Sequence, residues 1–189
     1  MVASGPIHDP SEPGGPAAWQ RKHVCFRIHG QDFALDIAAV RETLAMRPIT
    51  RVFLTPAHFA GIINLRGDVV AVLDLALLLG LPPIAAGDDT RIVLCQYRPA
   101  RDGADLCAGA ATPRARAETM TAGVLVDELT ELRVLDLGLL EPPPPTLPRD
   151  TAALLGGVVM LDDRTPLQVL DIARLFTSDQ VRVFQREAS

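Results

Sequence analysis

Residues 61–74 read Gly-Ile-Ile-Asn-Leu-Arg-Gly-Asp-Val-Val-Ala-Val-Leu-Asp, two apolar runs on either side of a Gly-Asp pair. β-Branched runs separated by a short glycine-containing loop are the signature of a β-hairpin with a primed turn. Side chains alternate along a strand, so Asn64 and Arg66 share one side of the strand that enters the hairpin. Residues 75–79 then form a short amphipathic helical turn, ended by Gly80 and Pro82-Pro83. The pattern returns later in the chain. Gly157-Val-Val-Met-Leu and Val169-Leu-Asp-Ile-Ala-Arg-Leu repeat Gly61-Ile-Ile-Asn-Leu and Val72-Leu-Asp-Leu-Ala-Leu-Leu with a small change in turn length. Ala34-Leu-Asp-Ile and Leu125-Val-Asp-Glu form a fainter pair. The members of each pair lie roughly 90 residues apart, the mark of a duplicated β unit.

Further strands are expected at 23–28, 33–37, 49–54 (between Pro48 and Pro56), 91–97, 122–127, 132–135, 157–161 and 167–171. Residues 38–44 read as a short helical or irregular turn. Many short strands punctuated by turns indicate barrels or a sandwich. The fold class is all-β, and two related barrels of about five strands each fit the length, with a single sandwich as the alternative. Residues 1–20 hold four prolines and no periodicity, so they are expected to be a disordered arm. An Ala/Arg/Gly-rich stretch over 98–121 reads as a long flexible hairpin loop, 142–145 as stiff polyproline, and 179–189 as a tail.

Composition narrows the classes of function. The chain is 48% hydrophobic but only 4% aromatic, so its core must be aliphatic. A net charge of -5 disfavours nucleic acid, whose phosphates call for clustered cations. The longest apolar runs fall far short of the ~20 residues that cross a bilayer, so direct membrane insertion is not expected. The first residues show neither a cationic start nor an apolar stretch, so no secretory signal is expected. Three cysteines without CxxC spacing fit a reduced, cytoplasmic protein.

Candidate chemistry is sparse. Serine occurs only at 4, 11, 178 and 189, never in a nucleophile motif. His23 and His29 could converge on one face, but no third ligand accompanies them. Cys25 and Cys95 lie in strand patterns and read as small buried hydrophobes, and Cys107 as an exposed loop residue. Asp88-Asp89 and Asp162-Asp163 sit beside turn residues and read as solvated turns. No glycine-rich phosphate loop is present, and Arg66-Gly67-Asp68 matches an adhesion tripeptide only by coincidence. No catalytic residue, metal site or cofactor is therefore expected. What remains is a polar set inside an apolar block: Asn64 and Arg66, with Glu42 as an ion partner for Arg66. The plain alternative makes Arg66 an exposed turn residue and Glu42 a solvated helix charge.

The segments F-R-I-H-G-Q-D-F-A-L-D-I-A-A-V-R-E (26–42), I-T-R-V (49–52), P-A-H-F-A-G-I-I-N-L-R-G-D-V-V-A-V-L-D-L (56–75) and L-G-L (79–81) resemble a CheW-like domain. The likeness continues through R-I-V-L (91–94), G-V-L-V-D-E-L (123–129), G-G-V-V-M-L (156–161) and Q-V-L-D-I-A-R-L-F (168–176). The resemblance implies two interleaved SH3-like five-stranded β-barrels packed together over residues 21–178. It also implies a non-catalytic, cytoplasmic adaptor that bridges the cytoplasmic tips of chemoreceptors to the regulatory domain of a CheA-type histidine kinase, in arrays at the inner membrane. By position, Arg66 and Glu42 would matter for coupling, and Val40 and Gly61 would lie at or near partner-binding surfaces, with Asn64 and Gly67 in the same block. Ile49 and Val52 are weaker candidates for the face toward the kinase, as are Leu129 and Leu132 of the second barrel for the receptor groove. The arm, the long loop, Phe53-Leu54-Thr55-Pro56 and the prolines at 142–145 depart from the family pattern. A scaffold in a non-chemotactic chemosensory pathway is the alternative within the same class. A small metal-dependent hydrolase is the alternative from another.

Overall fold

The computed structural model describes residues 19–99, 119–161 and 164–181. The expected arm, long loop and tail fall mostly outside these residues, as do Cys107, Asp162 and Asp163.

Among the described residues ten strands form two five-stranded sheets. In chain order they are β1 (Gln20–Ile28), β2 (Gln31–Asp36), β3 (Val40–Ala45), β4 (Phe59–Leu65), β5 (Asp68–Asp74), β6 (Arg91–Tyr97), β7 (Met120–Val126), β8 (Glu128–Asp136), β9 (Leu155–Met160) and β10 (Pro166–Leu170). Short helices α1 (Leu75–Leu78), α2 (Arg149–Leu154) and α3 (Ile172–Thr177) complete the set. One sheet runs β8-β1-β2-β10-β9 and the other β3-β6-β7-β5-β4. The two orders become identical when each of β1–β5 is matched to its counterpart among β6–β10. The duplication is therefore structural, and its halves are exchanged. The terminal barrel takes β1 and β2 from the first repeat and β8–β10 from the second; the central barrel takes the complement. Each barrel has one parallel pairing, β2 with β10 and β5 with β7, and these join strands of different repeats, as do the antiparallel pairs β1–β8 and β3–β6.

Both sheets close by the same device. Thr50, beyond β3, exchanges two backbone hydrogen bonds of 2.9 Å with Ile62 of β4. Glu141, beyond β8, does so with Val158 of β9 at 2.9 and 2.8 Å. The glycines that the sequence repeat brought into register lie beneath these bridges. A Cβ on Gly61 (φ +141°) would stand 2.3 Å from the Thr50 carbonyl oxygen, and one on Gly157 would stand 2.5 Å from that of Glu141. Glycine is required where backbone approaches so closely. Asp74 and Asp171 are likewise equivalent. Each ends a strand and caps the helix that follows, Asp74 accepting from Leu77 N–H and Asp171 from Ala173 and Arg174 N–H.

Three apolar clusters hold the fold. Cys25, Ala34, Leu135, Val159, Leu167 and Val169 fill the terminal barrel. Ile63, Leu65, Val70, Val72, Ile92, Leu94 and Leu125 fill the central one. The largest cluster lies between the barrels. There Phe26, Ile28, Phe33 and Leu35 meet Leu73, Val93, Val124 and the buried faces of the helices. Residues 75–78 are thus a core helix, and their expected amphipathic character is absent: Leu75, Ala76 and Leu78 are all buried.

Several expectations are corrected. Residues 49–54 are not a strand; Thr50 makes the single closing bridge and the chain then turns. Residues 38–44, read as a turn, are a 3₁₀ turn only at Ile37–Ala39, and β3 starts at Val40 because it pairs along β6. The hairpin turn is centred on Arg66-Gly67, one residue earlier than Gly67-Asp68, since Leu65 pairs with Asp68. Both central residues have positive φ, 56° and 97°, as a type I′ turn demands.

Candidate functional site

Arg66 emerges from that turn at the rim of the central barrel. Its left-handed backbone is stabilised by Asn64, whose Oδ1 accepts the Gly67 N–H at 3.1 Å. Asn64 is therefore a turn-shaping residue, and the side it shares with Arg66 is set by the turn and not by strand alternation. The Arg66 guanidinium donates to Glu42 Oε2 at 3.0 Å. Glu42 belongs to β3, at the opposite sheet edge from β4, so the pair spans the barrel seam on the same side as the Thr50–Ile62 bridge. The Arg66 side chain is 71% exposed and that of Glu42 23%. A pair so open to water contributes less than ~1 kcal/mol to folding. What it does is hold a planar cation at a fixed place on the surface, where its remaining N–H groups stay available for a carboxylate or carbonyl.

The other residues named from the sequence are distributed around this patch. Gly67 is exposed beside Arg66. Val40 is half-buried where β3 leaves the inter-barrel cluster. Gly61 is buried beneath Thr50, so its requirement for glycine already follows from closure. Ile49 and Val52 line an open cavity of about 670 Å³ with Arg47, Phe59, Leu77 and Ile84. Leu129 of β8 is half-buried against the inter-barrel cluster, while Leu132 is exposed on the same strand.

The structure adds residues that the sequence did not single out as contact candidates. Phe53 and Leu54 are fully exposed at the tip of the turn after Val52, and Leu54 takes a left-handed φ of 62°. The turn is tied by Thr55, whose hydroxyl donates to the Val52 carbonyl at 2.8 Å. Val134 is exposed two residues along β8 from Leu132 and therefore on the same face. Val69 is exposed next to the Arg66 turn. The signal for Phe53-Leu54 was present in the sequence: two large apolar residues between an arginine-bearing stretch and Thr-Pro, with no alternation to bury them.

The histidines do not converge. His23 Nδ1 donates to the Arg21 carbonyl at 3.0 Å, whereas His29 Nε2 reaches the Pro82 carbonyl at 2.8 Å. Among the described residues no group of three His, Cys, Asp or Glu side chains is arranged to hold a metal, and no helix is long and apolar enough to cross a membrane. Cys25 and Cys95 are buried free thiols. Burial, and secondarily the charge of Glu131, pushes the Cys25 thiol up to about 11; burial alone pushes Cys95 to about 12. Only the thiolate reacts, so at pH 8 about one Cys25 in a thousand is competent. Iodoacetamide at that pH is expected to leave both residues unmodified in the folded protein and to label them once urea unfolds it, read site by site by mass spectrometry. Prompt labelling of Cys95 in the native protein would contradict the core packing described.

A family model described as a CheW-like domain matches residues 22–180. The chain is 29% identical over 124 residues to a probable chemotaxis protein CheW of Rhizobium etli, covering 66% of this chain and 67% of that protein. It is 35% identical over 77 residues to the chemotaxis protein CheW of Bacillus subtilis, covering 41% of this chain and 49% of that one. The fold is similar to the crystal structure of scaffolding protein TtCheW from Thermoanaerobacter tengcongensis, with a TM-score of 0.65, 26% identity and coverage of 93% and 96% of the two chains.

Proposed function

Because the chain belongs to the CheW-like domain family, we propose that it is a non-catalytic adaptor that couples chemoreceptors to a CheA-type histidine kinase in the cytoplasm. The observation that supports this most directly is the likeness to a scaffolding protein across 93% of the chain. A scaffold acts by burying surface against each of two partners, and a few anchor residues carry most of the binding energy. In this reading the Glu42–Arg66 pair, with Asn64, Gly67 and Val40 around it, forms one contact surface. Ile49 and Val52 form the approach toward the kinase. Leu129 and Leu132 face the receptor.

The proposal distinguishes contact from structure at Arg66. An exposed ion pair contributes little to folding, whereas removing a cation that becomes desolvated in a complex costs about 2–5 kcal/mol of binding. Arg66→Ala is therefore expected to melt within ~3 °C of the parent, given about 2–4 °C per kcal/mol at this size. Its co-sedimentation with receptor fragment and kinase is expected to fall at least about tenfold. Arg66→Glu, which places a second carboxylate beside Glu42, should lose more. Normal co-assembly together with a lowered melting temperature would make Arg66 a purely structural residue and remove it from the contact surface. If the protein ignores chemoreceptors altogether but is captured by another histidine kinase, the pathway assigned here is wrong.

A further inference from the structure

The cavity of about 670 Å³ at the mouth of the central barrel draws its wall mainly from the chain between Met46 and Ala60 and from the stretch between Pro83 and Thr90. Its volume lies in the range of small-molecule sites. Met46, Ile49, Ala60 and Ile84 pack on the aliphatic core of that barrel, so the floor is apolar. The polar side chains on the wall fall into two groups. Asp74, Thr90 and Thr55 are satisfied from within. Asp74 accepts the Leu77 and Ile84 N–H groups, one on each oxygen, at 3.3 and 3.0 Å. Thr90 Oγ1 accepts the Gly87 N–H at 2.8 Å, and Thr55 donates to the Val52 carbonyl. Arg47 and Arg51 have no partner among the described residues. Arg51 is exposed, whereas Arg47 is half-buried. The Arg47 Nε is enclosed and unpaired; its two terminal nitrogens are unpaired as well, but they stay open to solvent.

A partly desolvated cation with no acceptor is a costly arrangement to keep. With Nε shut off, the guanidinium can be met only end-on, through its terminal nitrogens. That edge presents two parallel N–H groups, the fork that fits a single carboxylate. A phosphate is a poorer fit, because Pro48, Pro56 and Pro83 bring no N–H to the wall. We propose that the mouth of the central barrel binds a small monocarboxylate with an aliphatic body. Its carboxylate pairs end-on with Arg47, Arg51 adds attraction from the rim, and the body lies on Ile49, Phe59, Leu77 and Ile84. The cavity borders the face assigned above to the kinase. Anion binding is read on the isolated chain, however, and so stands or falls apart from that assignment.

The test is a nuclear magnetic resonance titration of the full chain with hexanoate, hexan-1-ol, which keeps the body and loses the charge, and acetate, which does the reverse. Hexanoate is expected to shift the Ile49, Leu77 and Ile84 amides together with the Arg47 side chain. It should bind about tenfold more tightly than hexan-1-ol, the value of one charge-assisted pair at a partly open site. It should also bind at least about tenfold more tightly than acetate, through the apolar area that its longer body covers. Nuclear Overhauser contacts from the ligand to the Ile49 and Leu77 methyls place the body in the unsubstituted chain, with no dependence on how any variant folds. Arg47→Gln, which removes no hydrogen bond of the native chain, is expected to bind hexanoate no better than hexan-1-ol. Equal binding of hexanoate and either control, no saturable shift at the cavity residues, or an unchanged preference for hexanoate in folded Arg47→Gln overturns the proposal.

Discussion

Gly61→Ala is expected to destabilise the chain by about 3–5 kcal/mol, more than any substitution of the exposed seam residues. Two terms contribute. The backbone at Gly61 has φ +141°, a region that residues with a Cβ adopt only at a cost of about 1–3 kcal/mol. The new methyl would also lie 2.3 Å from the Thr50 carbonyl oxygen and 2.8 Å from the Ile49 side chain, and relieving such overpacking costs a further 1–3 kcal/mol or so. The bridge that closes the central barrel must open to admit it. A fall in melting temperature of roughly 10 °C follows for a chain of this size, measurable by calorimetry and urea titration. Loss of partner binding in this variant would then report unfolding of the seam and not the loss of a contact. A variant that melts like the parent but fails to co-assemble would return Gly61 to the contact surface and undo the explanation by closure. Gly157→Ala provides the internal control, because the same closure operates in the other barrel.

The second large effect is expected at Phe33. It is fully buried, stacked on Phe26 with ring centroids 6.0 Å apart, and sits in the cluster between the barrels. Phe33→Ala should cost about 3–5 kcal/mol, the transfer term plus the cavity it leaves. The shape of the transition is as informative as its midpoint. The two barrels share the large apolar cluster that contains Phe33, so unfolding one strips the other of the face it packs against. Circular dichroism and tryptophan fluorescence should therefore report one coincident transition in the parent and in the variant. Two resolved transitions would show that the barrels are energetically separate.

Much of this architecture was legible from local pattern. The hairpin at 61–74 and the strand at 91–97 alternate or run apolar because their faces are buried. The repeat of Gly61 and Asp74 at Gly157 and Asp171 marks the same two backbone needs, a close approach and a helix cap. Pattern failed where tertiary pairing overrides it. β3 begins at Val40 directly after Ile37-Ala38-Ala39, a stretch that favours a helix by composition, but β6 supplies a hydrogen-bonding edge. β8 extends to Glu128 through Glu, Thr and Arg, polar because that strand's outer face is exposed. Helix α2 follows Pro148 and has no side-chain cap, so it lacked the usual start signal. The exchange of strands between barrels was implied by the family resemblance and not by periodicity, which describes a strand's faces and not its neighbours. At the site, the Glu42–Arg66 pairing could be guessed from residue type and the exposed Phe53-Leu54 from the lack of alternation, but the exposure of Val134 depends on what covers β8.

The crossing of the two repeats has a consequence for ancestry and for engineering. One repeat alone supplies two strands of one barrel and three of the other, and so can complete neither. Two such half-length polypeptides, however, contain every strand the fold requires, and by trading arms they would build it as a symmetric pair. The present chain is that pair written on a single polypeptide, with the stretch from α1 to β6 taking the place of an encounter between two molecules.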